Sequence, residues 1–301
     1  MSGDDAETTG ELDVSIAGVA GASLDALAVA VTIAPRGGDG DDRDDVTSLV
    51  VELAHVDPIA WRSLGEYREW IVGLAADRHG APIAVTADGA LRLGAGPGGR
   101  RYALPTRAGG LAAVYPAADD DLLVCGPGVL GRVRLGPGRI RVDLVEDDGP
   151  GDATAVAGPG AVDGAIAVGT RGALWRYADD EWTAHETTAR ETLLDVAWHD
   201  DGRAYVAGAE GGVYAWDGAA LRAVARVAGR AWTGIASWGG AIYLAGDRRG
   251  VWRLDGAALH PVTELPVTRL RAIAGHLVAW GGALLVRYDG TAWWGGPLHI
   301  P

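Results

Sequence analysis

The chain has 301 residues, of which 48% are hydrophobic, and this apolar content is sufficient for a full core and excludes global disorder. Its formal net charge is −14 with a pI near 4.8. Because nucleic acids and anionic membranes attract basic surfaces, neither is expected as a partner, and basic or neutral proteins are favoured.

The N-terminal residues 1–11 are acidic and polar, and we predict that they are disordered. They have no basic stretch followed by an apolar run, so no signal peptide is expected and the default location is cytoplasmic. The apolar stretch 26–34 is too short to span a membrane. Residues 37–45 (GGDGDDRDD) could offer oxygens to Ca²⁺, but their spacing matches no known calcium loop, which favours a solvated acidic insertion.

Residues 12–70 form a less regular segment with strand-like patterns. Leu24, Leu27 and Ala28 have the spacing of a first strand, and residues 46–56 and 59–62 predict two further strands. We interpret 12–70 as a divergent first repeat. The alternative is an N-terminal hairpin extension.

Residues 71–301 contain six copies of a unit of roughly 40 residues. A first strand is marked by an aliphatic residue, followed in most copies by a small one: Leu74-Ala75, Val114-Tyr115, Val156-Ala157, Val196-Ala197, Ile235-Ala236 and Ile273-Ala274. A second strand carries an aliphatic column: Val85, Val124, Val168, Val206, Leu244 and Val278. A third strand has two large apolar residues flanking one position: Leu91/Leu93, Val133/Leu135, Trp175/Tyr177, Tyr214/Trp216, Trp252/Leu254 and Val286/Tyr288. Asp-Gly follows the last three pairs and predicts tight hairpins.

Three or four short strands in each unit, without a helical pattern between them, predict an all-β fold of the β-propeller type. One sheet cannot bury both faces alone, whereas a closed ring of sheets can. We therefore predict a single propeller domain over residues 12–301, with a divergent first blade at 12–70 and six regular blades at 71–301. Seven blades are favoured, and six blades with the N-terminal hairpin are the alternative.

Two of the units resemble known propeller repeats. DVAWHDDGRAYVAGAEGGVYAWDGAAL and GIASWGGAIYLAGDRRGVWRLDGAAL are similar to the repeats of bacterial WD40-like, kelch-like and photosystem-assembly-factor-like propellers. This resemblance implies a protein-binding scaffold, and similar bacterial propellers are adaptors in regulatory or conflict systems built around an ATPase or protease. YDGTAWWG at 288–295 resembles the Asp-box of sialidase-like propellers, although the expected Ser is missing.

An arginine stands between the third-strand apolar residues in five of the six regular repeats. The column consists of Arg92, Arg134, Arg176, Arg253 and Arg287, with Ala215 in the remaining copy. By strand alternation this side chain points away from its two neighbours. We expect each guanidinium to pair with a carboxylate or carbonyl of the adjacent sheet and to stabilise the fold. The alternative is a basic arc that binds an acidic partner.

The remaining motifs have simpler interpretations. GAGPGG at 94–99 precedes a strand and not a helix, so it predicts a turn and not a dinucleotide loop. Cys125 replaces the small residue of the second strand and is expected to pack in the core. The seven histidines lack common metal-ligand spacing, and no metal or cofactor is predicted.

The sequence as a whole favours a non-enzymatic interaction scaffold whose partners are one or more proteins. One alternative is a hydrolase or lyase with its site at the central channel. We expect that channel to be lined by first-strand residues, namely Gly73, Ala113, Ala155, Asp195, Gly234 and Ala272, which would offer one carboxylate. The other alternative is a sugar-binding propeller that uses Trp293 and Trp294.

Overall fold

The computed structural model describes residues 12–35, 46–56, 59–106, 109–137, 139–146, 151–246 and 249–300. These residues form seven four-stranded antiparallel sheets, each built from four consecutive strands. Neighbouring sheets pack face to face around a ring, so the protein is a seven-bladed β-propeller. The predicted fold class and the favoured blade number are confirmed.

The first three blades contain β1 to β12. Blade 1 consists of Leu12–Ala20, Leu27–Pro35, Thr47–Val56 and Ile59–Tyr67 (β1–β4). Blade 2 consists of Ile71–Ala76, Pro82–Thr86, Ala90–Leu93 and Arg100–Ala103 (β5–β8). Blade 3 consists of Ala113–Ala118, Asp121–Gly126, Val129–Gly136 and Arg139–Glu146 (β9–β12).

Blades 4 to 7 contain β13 to β28. Blade 4 consists of Ala153–Ala157, Ile166–Gly169, Leu174–Ala178 and Glu181–His185 (β13–β16). Blade 5 consists of Leu193–Trp198, Ala204–Gly208, Gly212–Trp216 and Leu221–Arg226 (β17–β20). Blade 6 consists of Gly234–Trp238, Ala241–Ala245, Val251–Asp255 and Ala258–Thr263 (β21–β24). Blade 7 consists of Arg269–Ile273, His276–Gly281, Leu284–Tyr288 and Trp293–Pro297 (β25–β28).

Short 3₁₀ turns lie at Leu24–Ala26, Gly96–Gly98 and Thr170–Gly172. The second of them joins β7 to β8, so the prediction that GAGPGG is a turn between strands is confirmed. Four-residue loops join β19 to β20 and β27 to β28 and begin with Asp217-Gly218 and Asp289-Gly290, as the hairpin signal predicts.

The hydrophobic core consists of separate clusters between adjacent blades. Because strand side chains alternate between faces, each middle strand contributes to two clusters. In every blade one residue of the innermost strand packs against the preceding blade: Val19, Leu74, Val114, Val156, Val196, Ile235 and Leu270. The core therefore follows the ring, and the axis itself stays open.

The register predicted for blade 7 is wrong by three residues. Leu270 pairs with Ala279 as Ile235 pairs with Leu244, so Leu270 and not Ile273 occupies the aliphatic column. Ala274 does not lie in the strand. It has φ +48° and forms the hairpin turn with Gly275 at φ +77°. The hairpin of blade 7 is therefore tighter than expected.

Three members of the predicted second-strand column also belong to the opposite face. Val85, Val168 and Val278 pack against the following blade, and their neighbours Ala84, Ala167 and Ala279 face the preceding one. In these three strands the predicted column is displaced by one residue. The alanine and the valine are both buried, so an apolar pattern does not distinguish their faces.

The first strand of blade 1 also differs from the prediction. It is Leu12–Ala20, whereas Leu24 lies in a 3₁₀ turn and Leu27 begins the second strand. The acidic stretch 37–45 and residues 1–11 lie outside the described residues.

The ring closes between blade 7 and blade 1 without exchange of a strand, since both sheets are built from their own consecutive strands. Backbone and side-chain bonds join them: Ile16 N donates to Gly282 O at 2.8 Å, and Trp61 Nε1 donates to His299 O at 3.0 Å. A buried cluster that includes Val29, Val278 and Leu298 fills the junction. Side-chain packing therefore provides the closure.

Candidate functional site

The innermost strands of all seven blades line a central channel with a volume of about 490 Å³. Its wall is made mostly of small side chains and backbone. Of the residues expected there, Gly73, Ala113, Ala155, Asp195 and Ala272 are part of it. The wall also contains two arginines that the sequence analysis missed, Arg269 and Arg271.

The corrected register shows why these two arginines are unusual. The residue before each aliphatic column member is Gly18, Gly73, Ala113, Ala155, Asp195, Gly234 and Arg269 in blades 1 to 7. The residue after it is Ala20, Ala75, Tyr115, Ala157, Ala197, Ala236 and Arg271. Blade 7 thus places arginine at both levels where most blades have glycine or alanine, and blade 5 places a carboxylate at the first.

Asp195 is held in the channel wall by backbone amides. Its Oδ1 accepts from Val196 N at 2.9 Å, and its Oδ2 accepts from Ile235 N at 3.0 Å in blade 6. Burial raises the pKa of this carboxyl above its ordinary value of 3.8, although the two amides and the arginines of blade 7 oppose the shift. The carboxylate therefore sits in a poorly hydrated position.

The two channel arginines bind backbone carbonyls of other blades. Arg271 donates from Nη1 to Leu74 O of blade 2 at 2.8 Å, and Arg269 donates from Nη1 to Thr233 O. Burial lowers the pKa of Arg271 from its usual range, which identifies a guanidinium with little solvent around it. Asp195, Arg269 and Arg271 are all described residues, and no ion pair within 4.0 Å joins the carboxylate to either arginine.

Two indoles and the hydroxyl groups of Tyr115, Thr154 and Ser237 are further polar groups of the channel wall. Trp280, which is 5% exposed, pairs in the sheet with Arg269, and Trp198 ends the inner strand of blade 5. Both Nε1 atoms are buried and have no hydrogen-bond acceptor among the described residues. The channel therefore presents several donors and one carboxylate.

The five column arginines lie on the third strands of five different blades and are not brought together. Arg92 faces blade 1, donates from Nε to Glu69 at 2.6 Å and lies over the Tyr67 ring at 4.2 Å. Arg134 pairs with Asp143 at 2.5 Å and with Asp180 of blade 4 at 3.3 Å.

The other three column arginines have a different environment. Arg176, Arg253 and Arg287 form no ion pair with a carboxylate of the described residues. Blade 2 departs from the column. Arg92 pairs with Ala84, which faces the preceding blade, whereas the other four column arginines lie on the face toward the following blade. Whether the column stabilises the fold or binds a partner stays a prediction.

An arginine outside the predicted column has the densest network. Arg132 Nε donates to Asp121 Oδ1 at 2.7 Å, and Nη1 donates to Tyr177 Oη at 3.2 Å and to Asp180. It lies two residues before Arg134 on the same face of β11 and joins blade 3 to blade 4. The apolar-pair rule missed it because Gly131 and not a large residue precedes it.

The described loops at the two ends of the propeller differ in their balance of charged residues. The loops joining strands 1–2 and 3–4 of the blades form one end, which we call the acidic face. Its described loops carry a group of carboxylates: Asp25, Asp77, Asp119, Asp120, Asp163, Asp179, Asp180, Asp200, Asp201, Asp217 and Asp289. Their only arginines are Arg78 and Arg203. The described loops at the opposite end mix arginines with carboxylates.

Aromatic side chains of blades 6 and 7 meet beside the acidic face, and we call them the aromatic cluster. It consists of Trp238, Tyr243, Tyr288 and Trp293. Trp238 lies 5.7 Å from Tyr243 and 5.5 Å from Tyr288, and Tyr288 stacks on Trp293 at 4.8 Å between ring centroids. Next in sequence, Trp294 is 43% exposed and donates from Nε1 to Asp289 at 3.3 Å. The sugar-binding role of Trp293 and Trp294 stays a prediction.

Cys125 is fully buried in the cluster between blades 3 and 4, so its predicted packing position is confirmed. Burial raises the pKa of its thiol to about 12. Within the described ranges, no group of three His, Cys, Asp or Glu side chains is arranged to hold a metal ion. None of the described helical segments has the length and apolar character needed to cross a bilayer.

No protein-family model and no curated protein matches the chain. Solved structures do match its fold. The WD40 propeller domain of Doa1 has 12% identity over 95% of this chain and 94% of that chain, with a TM-score of 0.70. Sqt1 from Chaetomium thermophilum has 15% identity over 95% and 83%, with a TM-score of 0.64. Virginiamycin B lyase from Staphylococcus aureus has 12% identity over 76% and 84%, with a TM-score of 0.63.

The chain is therefore similar in fold to WD40 propellers, which confirms the resemblance seen in its repeats. At these identities the similarity establishes the fold alone, and a lyase shares that fold.

Proposed function

We propose that this protein is a non-enzymatic interaction scaffold that binds a basic segment of a partner protein on its acidic face. The supporting observation is that the described loops of the acidic face carry eleven carboxylates and two arginines, whereas the described loops at the opposite end mix arginines with carboxylates. Charge complementarity raises association rates and selects partners of opposite sign. The similarity to WD40 propellers such as Doa1 and Sqt1 is compatible with this function but adds only the fold.

The aromatic cluster provides the apolar contact that such an interface needs. Tryptophan and tyrosine are enriched among residues that dominate binding energy, especially where they are half-buried and surrounded by polar groups. Trp238 and Trp293 are partly accessible and lie beside Asp289, so a basic peptide could place an aliphatic or cationic side chain against them. The cluster would anchor the partner while the carboxylates steer it.

An array of basic, neutral and acidic peptides tests the proposal. We expect the protein to retain basic peptides and to lose them as salt rises, because exposed charges are screened. The variant Asp163→Asn/Asp179→Asn/Asp200→Asn removes three exposed carboxylates of the acidic face and should weaken binding about tenfold or more.

The matched control makes the same charge change at the opposite end of the ring. Asp152→Asn/Glu186→Gln/Glu264→Gln alters three exposed carboxylates there and should leave binding unchanged. A second pair compares Trp294→Ala with Trp70→Ala, since these side chains are 43% and 40% exposed but lie near opposite ends. Equal effects of the two triple variants, or preference for acidic peptides, would refute the proposal.

A further inference from the structure

Charges of opposite sign line the same channel without forming an ion pair. Asp195 of blade 5 and Arg269 of blade 7 occupy the same level of the wall, and Arg271 lies two residues further along β25. The field of Arg269 reaches the Asp195 carboxyl, yet these described side chains form no ion pair. The carboxylate oxygens and the guanidinium nitrogens are therefore more than 4.0 Å apart.

The channel beside these charges has room for a ligand. Blade 6 carries Gly234 at this level, and its inner strand packs so closely on that of blade 7 that an added Cβ would lie 2.7 Å from Arg269 Cα, so the free space lies in the channel and not between these blades. The other blades have Gly18, Gly73, Ala113 and Ala155 at the same level. The channel volume of about 490 Å³ lies within the usual range of small-molecule sites, roughly 300–1,000 Å³.

Three side chains that line the channel, those of Trp280, Arg271 and Asp195, can form hydrogen bonds beyond those observed. The buried Nε1 of Trp280, whose residue is 5% exposed, has no acceptor among the described residues, and Trp280 pairs directly with Arg269. Arg271 uses Nη1 on Leu74 O, and a guanidinium has further donors. Asp195 accepts one amide on each oxygen, which leaves lone pairs free. A buried donor without an acceptor is unfavourable, so a ligand that supplies an acceptor would be stabilised here.

We infer that the central channel binds a small zwitterion, an aminocarboxylate, with its carboxylate on Arg269 and Arg271 and its ammonium group on Asp195. A simple anion would gain from the arginines but meet repulsion from Asp195, and a simple cation would meet the reverse. A molecule carrying both charges satisfies the carboxylate and the guanidinium groups. This site is separate from the acidic face, and neither proposal depends on the other.

Binding is measured with a panel of the proteinogenic amino acids, β-alanine, 4-aminobutyrate and glycine betaine. Each is added at about 10 mM, which saturates a site with a millimolar Kd. Acetate and ethylamine serve as probes with one charge only. The readouts are the melting temperature, the fluorescence of channel tryptophans such as Trp280, and calorimetric Kd values. We expect at least one zwitterion of the panel to bind and both probes with one charge to bind at least about tenfold more weakly.

The site is located with variants that introduce the residue found at the same position in other blades. Asp195→Ala and Arg269→Ala introduce alanine, the residue that Ala113 and Ala155 provide at this level, so the fold should accept them. Each should raise the Kd of the best zwitterion about tenfold or more, because one charge-assisted contact is lost. Arg190→Ala, an exposed loop arginine outside the channel wall, should leave the Kd unchanged. Arg271 is kept because its bond to Leu74 also joins two blades.

Three results would overturn the inference. The first is the absence of binding by every zwitterion of the panel. The second is acetate binding as tightly as the best zwitterion with no effect of Asp195→Ala, which would define a simple anion site. The third is an unchanged Kd in Arg269→Ala, since a ligand held elsewhere would not depend on that guanidinium.

Discussion

Replacing Arg92 by alanine should destabilise the protein substantially, because this arginine combines an ion pair with an aromatic contact. The Arg92 and Glu69 side chains are only 17% and 15% exposed, and their atoms lie 2.6 Å apart. Loss of a charge-assisted hydrogen bond costs about 1.5–3 kcal/mol, and loss of a cation–π contact with Tyr67 costs about 0.5–2 kcal/mol. Since Glu69 keeps Arg101 as a partner, we expect a total of about 2–3 kcal/mol.

This loss should be visible in thermal and urea unfolding. In a domain of this size, each kcal/mol moves the Tm by about 2 °C, so Arg92→Ala should lower it by about 4–6 °C. Arg176→Ala is the matched control, because it removes a column arginine that has no ion pair with a described carboxylate. It should cost less than about 1 kcal/mol.

A double-mutant cycle with Glu69→Gln isolates the pair, and a coupling energy near zero would show that the contact does not stabilise the fold. A Tm change in Arg92→Ala no larger than that in Arg176→Ala would refute the reasoning.

The contribution of this ion pair to stability should depend on pH. The arginines hold the pKa of Glu69 below its ordinary value of 4.5, against the effect of burial. The stabilisation is therefore complete above about pH 4.5 and is lost as the pH falls below that value.

Three other predictions concern the buried side chains of Asp195, Trp232 and Cys125. Asp195→Ala should raise the Tm at pH 7, because burial raises the pKa of this carboxyl and makes its ionised form unfavourable. The gain in Tm should disappear as the pH falls to 3.8, the ordinary pKa of an aspartate side chain. Melting curves at pH 7 and pH 4 check this, and a gain that grows on acidification would contradict it. Trp232→Ala should cost about 3–5 kcal/mol in urea unfolding, since Trp232 is 0% exposed and bonds to Gly211 O at 3.0 Å, whereas the exposed Trp294→Ala should cost less than about 0.5 kcal/mol. Cys125, with its pKa raised to about 12, should react with Ellman's reagent at about pH 8 only after unfolding, and rapid reaction of the native protein would be incompatible with its burial.

The repeat period was sufficient to predict the propeller and its six regular blades, because closing such a ring requires the same apolar columns in each blade. The seventh blade was only favoured, because the strand patterns of residues 12–70 are irregular and also fit a hairpin extension. The register within a blade was harder to predict. In blade 7 the string RLRAIAG offers Leu270 and Ile273 as equivalent aliphatic choices, and only the pairing of Leu270 with Ala279 decides between them. In blade 2 both Ala84 and Val85 are buried, so burial alone could not assign their faces.

The register error also explains why the channel arginines were missed. Counting from Ile273 placed Ala272 at the level of Asp195 and left Arg269 and Arg271 outside the site. An alignment of TGIAS at 233–237 with TRLRA at 268–272 would have revealed them, because Thr233 and Thr268 both donate their amide to the second strand. The ion pairs of Arg92 and Arg132 depend on loop and neighbouring-blade carboxylates such as Glu69 and Asp180, which no local pattern specifies.

The closure between blades 7 and 1 has a consequence for the connectivity of the ring. In the described chain every blade is built from consecutive strands, so a loop of the chain links each blade to the next except at the junction between blades 7 and 1. A circular permutant that links blade 7 to blade 1 and opens the loop between blades 4 and 5 would keep every sheet intact. If blades 7 and 1 were pulled apart, the ring would open first at this unlinked junction, where the Ile16 and Trp61 bonds and one apolar cluster are the described contacts that resist.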